Sequence, residues 1–159
     1  MVTVRALGRP AMIPPAYASP EMRARIALIA KSFARLLGRP LVSGDGDVVA
    51  ALWEAQQAIV AHGTQADPVF FFGNRAALAT FECPVEQFIV LPSRLSAEAP
   101  LRAERQALLD RVSAQGFIDD YAGVRISASG RRFRIEQAVV WNLIDAQGQR
   151  HGQAAMFAV

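Results

Sequence analysis

The sequence predicts an α+β fold of about five antiparallel strands with helices on one face and an added N-terminal helix. Three observations lead there. Hydrophobic residues make up 52% of the 159 residues and charged residues 19%, enough apolar surface for a packed core. Up to Gly116, apolar residues either recur at helical spacing or fall in two short β-branched and aromatic runs. From Phe117 onward, three long runs alternate in polarity and are punctuated by the turns "ASG" and "DAQG".

Taken in order, residues 1–18 read as a flexible arm, broken up by Pro10, Pro14 and Pro15 and without the apolar stretch of a secretion signal. Residues 19–40 form an amphipathic helix. Ser19 is its N-cap, Pro20 fits the first turn, and Gly38 and Pro40 stop it. Met22, Ile26, Ile29 and Phe33 make one apolar stripe, which must cover either the body of the domain or the same helix of a second copy. The second option makes the chain a homodimer.

Residues 41–159 form the main domain. Asp47 caps the short helix "VVAALWEAQQ", and strands follow at 58–64 and 69–73. Asn74 caps "RAALATF", "VEQFIVL" is a further helical piece, and Ser96 caps a helix that has Pro100 in its first turn and ends at Gly116. Three strands close the chain. On the middle one, Phe133, Ile135, Gln137, Val139, Trp141 and Leu143 share a face by strict alternation.

The bulk numbers exclude some classes of function. A single cysteine, Cys83, excludes an internal disulfide and a multi-cysteine metal site. No apolar run reaches the length of a membrane span, and a cytoplasmic location is expected. The net charge is +3, and residues 1–40 hold seven bases against one acid. A basic arm and helix of this kind could meet nucleic acid or an anionic surface; the excess reads instead as a solvated helix face pairing with the acidic body, and a nucleic-acid partner is not expected.

The phrases "LWEA", "AHGTQADPVFFFGNRAAL", "LPSRLSAE", "GFIDDYAGVRISASGRRFRIE" and "VWNLIDAQGQRHGQAA" resemble the MEKHLA domain family, from about Ser19 to Phe157. The family has a PAS-like fold and occurs alone or in certain plant homeodomain–leucine zipper regulators. The resemblance implies a sensory or protein-interaction module; no groove-reading helix or long heptad accompanies it here, so DNA binding is not implied.

A PAS-like sheet turns Phe133, Ile135, Gln137, Val139 and Trp141 inward, together with Tyr121, Gly123, Arg125 and Ser127 on the preceding strand. Arg125 is then a permanent charge aimed at an apolar pocket, which is costly unless neutralised. Asp119, Asp120, Glu54, Glu86 or Glu136 supplies the counter-charge, or a bound anion does. The second option predicts a small acidic ligand held by Tyr121, Arg125, Phe133, Gln137, Val139 and Trp141. His62, in a strand, and His151, at a turn, are too isolated for a metal site or haem. Light-sensing PAS relatives of the LOV type use a cysteine where this sequence has Ser93, and asparagines where it has Arg125 and Ile135, so a photoactive flavin is not expected. No nucleophile–His–acid set is present. The expected function is a sensory or interaction module; a small enzyme using the same cavity, or a purely structural dimerisation domain, is the alternative.

Overall fold

The computed structural model describes residues 12–44, 46–97 and 102–159. The first two short strands, β1 (Ala58–His62) and β2 (Phe70–Gly73), form a hairpin. The long runs become β3 (Phe117–Ile126), β4 (Arg132–Ile144) and β5 (Arg150–Phe157). All five join in one antiparallel sheet of order β2-β1-β5-β4-β3. The C-terminal strand therefore sits at the centre, and β3 forms one edge.

Helix α1 (Pro20–Leu37) begins where Ser19 Oγ accepts the Met22 N–H at 3.1 Å and ends at Gly38, whose left-handed φ of 75° lets its N–H reach Ala34 O. Its stripe lies on its own sheet. Ile26, Ile29 and Phe33 are fully buried, and Phe33 packs edge-on to Trp141 at 4.9 Å. Trp141 Nε1 donates to Ile29 O at 3.1 Å. Ser32 Oγ accepts the Ile144 N–H at 2.8 Å, and Arg35 donates to the carbonyls of Ile144 and Asp145, so the helix is also pinned to the end of β4. Of the two partners open to the stripe, the sheet takes it. Ile26, Ile29 and Phe33 are consumed within one chain and Met22 is packed against the same core, so contact between two copies would use another surface.

The remaining helices are α2 (Val48–Glu54), α3 (Arg75–Phe81), α4 (Val85–Phe88) and α5 (Arg102–Gln115). On the sheet face opposite α1, Phe70 of β2 stacks on Phe88 of α4 at 4.3 Å, and Phe81 of α3 meets Phe133 of β4 at 5.2 Å. α5 rests there too, through Leu108 and Val112 against Ile118 and Val140. Ser96 does not cap α5. It ends a 3-10 turn, Ser93–Ser96, and its hydroxyl donates to Ser93 O. The expected first-turn Pro100 lies outside the described residues.

Asn74 joins three elements. Its Oδ1 accepts the N–H groups of Ile59 and Ala77, both at 3.0 Å, and its Nδ2 donates to the carbonyls of Leu52, Ala55 and Gln57. It caps α3 and at the same time ties α2 and β1 to that cap. The end of the expected arm is ordered as well. Pro15–Tyr17 form a 3-10 turn, and the fully buried Tyr17 hydroxyl both donates to Gly73 O and accepts from Gly73 N, each at 3.0 Å. Burial pushes its pKa up from the usual 10.0 to about 12.

Asn74→Ala is expected to cost about 3–5 kcal/mol in urea denaturation, because three buried and two part-buried backbone groups lose a partner at once. Tyr17 predicts an alkaline weakness. Above its ordinary pKa of 10.0 the unfolded phenol ionises while the folded one stays protonated, so stability falls as pH rises, until the folded group ionises near 12. The loss is on the order of 2 kcal/mol, and urea melts of Tyr17→Phe should lack this component.

Candidate functional site

Two irregularities in the β3–β4 hairpin decide what faces the helices. Ile135 pairs with Gly123 and Ala138 with Tyr121, so β4 carries one extra residue, accommodated at Gln137 with a φ of 52°. Ile118 pairs with Val140, which gives β3 one extra residue at Asp119–Asp120. The alternation read from the sequence holds from Arg132 to Ile135 and inverts beyond Gln137. Gln137 is exposed, and Val139 and Trp141 face α1 on the other side of the sheet. These three therefore do not line the pocket, and the Trp141 N–H is already donated to Ile29 O. Phe133 lies on the helix-covered face, packed on Phe81 beside the cavity.

Tyr121 and Arg125 do meet at a partly open cavity of about 60 Å³, lined also by Val60, Phe81, Leu108, Ile135, Val140 and Phe157. Gly123 shapes their arrangement. The Tyr121 ring lies flat across it, and a Cβ at that position would overlap the Tyr121 hydroxyl and sit 2.9 Å from its Cζ. The ring thereby reaches under Arg125, whose guanidinium carbon is 5.2 Å from its centroid. Arg125 Nη1 also donates to Val124 O at 3.1 Å. Among the described residues no carboxylate lies within ion-pair distance of it. Three of the five expected neutralisers are engaged elsewhere: Glu54 with Arg75, Glu136 with Arg134 at 2.7 Å and Asp120 with Arg111 at 3.4 Å.

Opposite Arg125, a cross-strand row of polar side chains runs beneath α5. His62, Gln153 and Asn142 stand side by side on β1, β5 and β4, at 7%, 2% and 6% exposure. His62 and Gln153 line the cavity. His62 Nδ1 donates to Gly63 O at 3.0 Å. Gln153 Nε2 donates to Asn142 Oδ1 at 3.2 Å, and Asn142 Nδ2 donates to Val112 O of α5 at 3.2 Å. Among the described residues no donor reaches Gln153 Oε1. Gly152 makes the row possible, since its φ of 145° and missing Cβ let β5 pass the His62 carbonyl, which a Cβ would overlap. Sequence reasoning missed Gln153 and Asn142, because finding them on the inner face requires the Gln137 bulge. The only signal was a Gln among small residues in "GQAA".

The sulfhydryl of Cys83 lies outside this cavity, after α3, where burial pushes its pKa up. Among the described residues no group of three or more His, Cys, Asp or Glu is placed to hold a metal ion, and no helix is long and apolar enough to cross a membrane.

The MEKHLA domain model matches residues 23–159. The chain is 31% identical over 146 residues to the homeobox–leucine zipper protein ATHB-9 of Arabidopsis thaliana, covering 84% of this chain and 17% of that protein. It is 30% identical over 147 residues to HOX32 of Oryza sativa subsp. japonica, covering 87% and 17%. The chain thus spans about a sixth of the length of these relatives. In solved structures it is similar to a PAS domain from Colwellia psychrerythraea, with a TM-score of 0.59 at 17% identity, covering 69% of this chain and 91% of that one. The photo-excited blue-light photoreceptor Vivid is similar with a TM-score of 0.57 at 13% identity, covering 82% and 94%. These two likenesses show the fold.

Gly152→Ala is expected to destabilise the protein by about 3 kcal/mol, since both the φ and the close approach to β1 forbid a side chain. Urea denaturation measures this; a variant as stable as the wild type would mean that β5 does not approach His62 so closely.

Proposed function

The chain belongs to the MEKHLA domain family, and on that premise we propose that it is a PAS-like sensory or interaction module that binds a small acidic ligand between its sheet and helices. The observation that carries this reading is Arg125. It is a half-buried guanidinium at the wall of a cavity, set over Tyr121 and without a carboxylate partner among the described residues. An anion that displaces water there gains charge-assisted hydrogen bonds, and Gln153 Oε1 offers a buried acceptor on the opposite wall.

Ligand occupancy acts on α5. Among the described side chains of this helix only Leu108 and Val112 are buried, and Asn142 holds its backbone at Val112. A hollow of about 60 Å³ accepts a few waters or the head of a ligand, so anything larger shifts α5 between two positions on the sheet. Nucleic-acid binding is not part of the proposal. Arg23 pairs with Asp47, Arg25 lies 3.9 Å above the Phe71 ring, Arg35 binds the end of β4, and Arg39 covers Phe33. These four arginines are spent on contacts within the domain.

The small volume favours a second reading, an interaction domain with a filled core. Titration with benzoate, followed by melting temperature and calorimetry, separates the two. The ligand reading expects wild type to bind benzoate, Arg125→Met to weaken it by roughly 10- to 100-fold, and hydrogen exchange in α5 to change on binding. Wild type indifferent to benzoate, or equal binding by Arg125→Met, would favour the filled core.

A further inference from the structure

Beside the cavity, separated from it by Phe81 and Ser96, lies a cleft of about 150 Å³ between the 3-10 turn and the tip of the β3–β4 hairpin. Its walls are apolar: Phe81, Cys83, Leu91, Leu95 and Ile126, with Gln87, Ser96, Ser127 and Ala128 at the edges. The hairpin tip that forms one wall is held firmly. Ala128 N donates to Phe81 O at 2.9 Å, Arg131 Nη2 donates to Thr80 O at 2.9 Å, and the Glu82 carboxylate accepts the hydroxyls of Ser127 and Ser129.

Resting on the ligand reading above, we infer that the two spaces form one site for an elongated apolar monocarboxylate, with its head on Arg125 and Tyr121 and its tail past Phe81 in the cleft. The chemistry of the walls selects this class. Arg125 is the one Lys or Arg lining either space among the described residues, which matches one carboxylate and not two. Among the described residues no charged side chain lines the cleft, so the part of the ligand that enters it is apolar. The cavity alone is too small for more than the head, and the adjoining cleft holds the larger volume. Ser96 and the Phe81 ring line both spaces and form the barrier between them; a tail that enters the cleft displaces that ring from its packing on Phe70, Phe88, Phe133 and Phe157.

The test is a calorimetric series of saturated monocarboxylates, butyrate to octanoate, on the full chain. Each buried methylene strengthens binding roughly two- to fourfold, so with four more of them octanoate is expected to bind roughly 16- to 250-fold tighter than butyrate. Leu95→Trp, which fills the cleft from its half-exposed rim, and Leu95→Glu, which puts a carboxylate there, should both erase the chain-length gain while butyrate still binds. Butyrate binding also reports that each variant is folded. Octanoate no tighter than butyrate, with both weakened in Arg125→Met, would overturn the extension into the cleft and leave the Arg125 site standing. If neither acid binds wild type, the ligand reading itself fails, and this inference with it.

Discussion

One extra residue in β4 determines which side chains meet the hollow. A sheet with apolar residues on both faces must be covered on both, and the bulge at Gln137 lets a single strand serve two cores. Before it, Phe133 and Ile135 face α3 and α4. After it, Ala138, Val140 and Asn142 take that side, while Val139, Trp141 and Leu143 turn to α1. Without the bulge Trp141 would fill the cavity and the α1 side would lose its largest anchor. The compensating extra residue in β3 keeps Tyr121, Gly123 and Arg125 in phase with the inner face.

This also explains how much the sequence disclosed. Element order and type were legible because each signal is local: Ser19 and Gly38 bound α1, Asp47 and Asn74 cap α2 and α3, and Gly130 and Gly148 mark the turns. Tyr121 and Arg125 were legible because their alternation lies beyond the β3 bulge. Gln137, Val139 and Trp141 were misplaced, since alternation carries no sign of where a strand slips by one residue. Ser96 was misread because a 3-10 turn and a helix start share the same Ser-rich composition. Tyr17 was lost in a proline-rich run, and its hydroxyl meets Gly73, 56 residues away, a separation no local pattern reveals.

The fold gives the cavity one lightly held wall and several firmly held ones. The firmly held walls are the central strands and Phe70, which stacks on Phe88. The lightly held wall is α5, whose described side chains bury only Leu108 and Val112, beside one hydrogen bond from Asn142 to Val112 O and the exposed Arg111–Asp120 ion pair. Because Asn142 is bonded to Gln153, and Gln153 lines the cavity, the contents of the hollow and the hold on α5 belong to one hydrogen-bonded row. α1 covers the opposite face with its stripe fully used, so changes in the hollow reach it only through the sheet.

The most direct test of the central claim, that Arg125 directs its charge into a covered hollow built to receive an acid, is a crystal structure grown with 4-bromobenzoate. The bromine gives an anomalous signal that fixes both the location and the direction of the ligand. The account predicts the carboxylate within hydrogen-bonding distance of the Arg125 guanidinium and the bromine pointing to Phe81. Bromine sites confined to the outer surface, with Arg125 turned to solvent or paired with a carboxylate of its own chain, would contradict it.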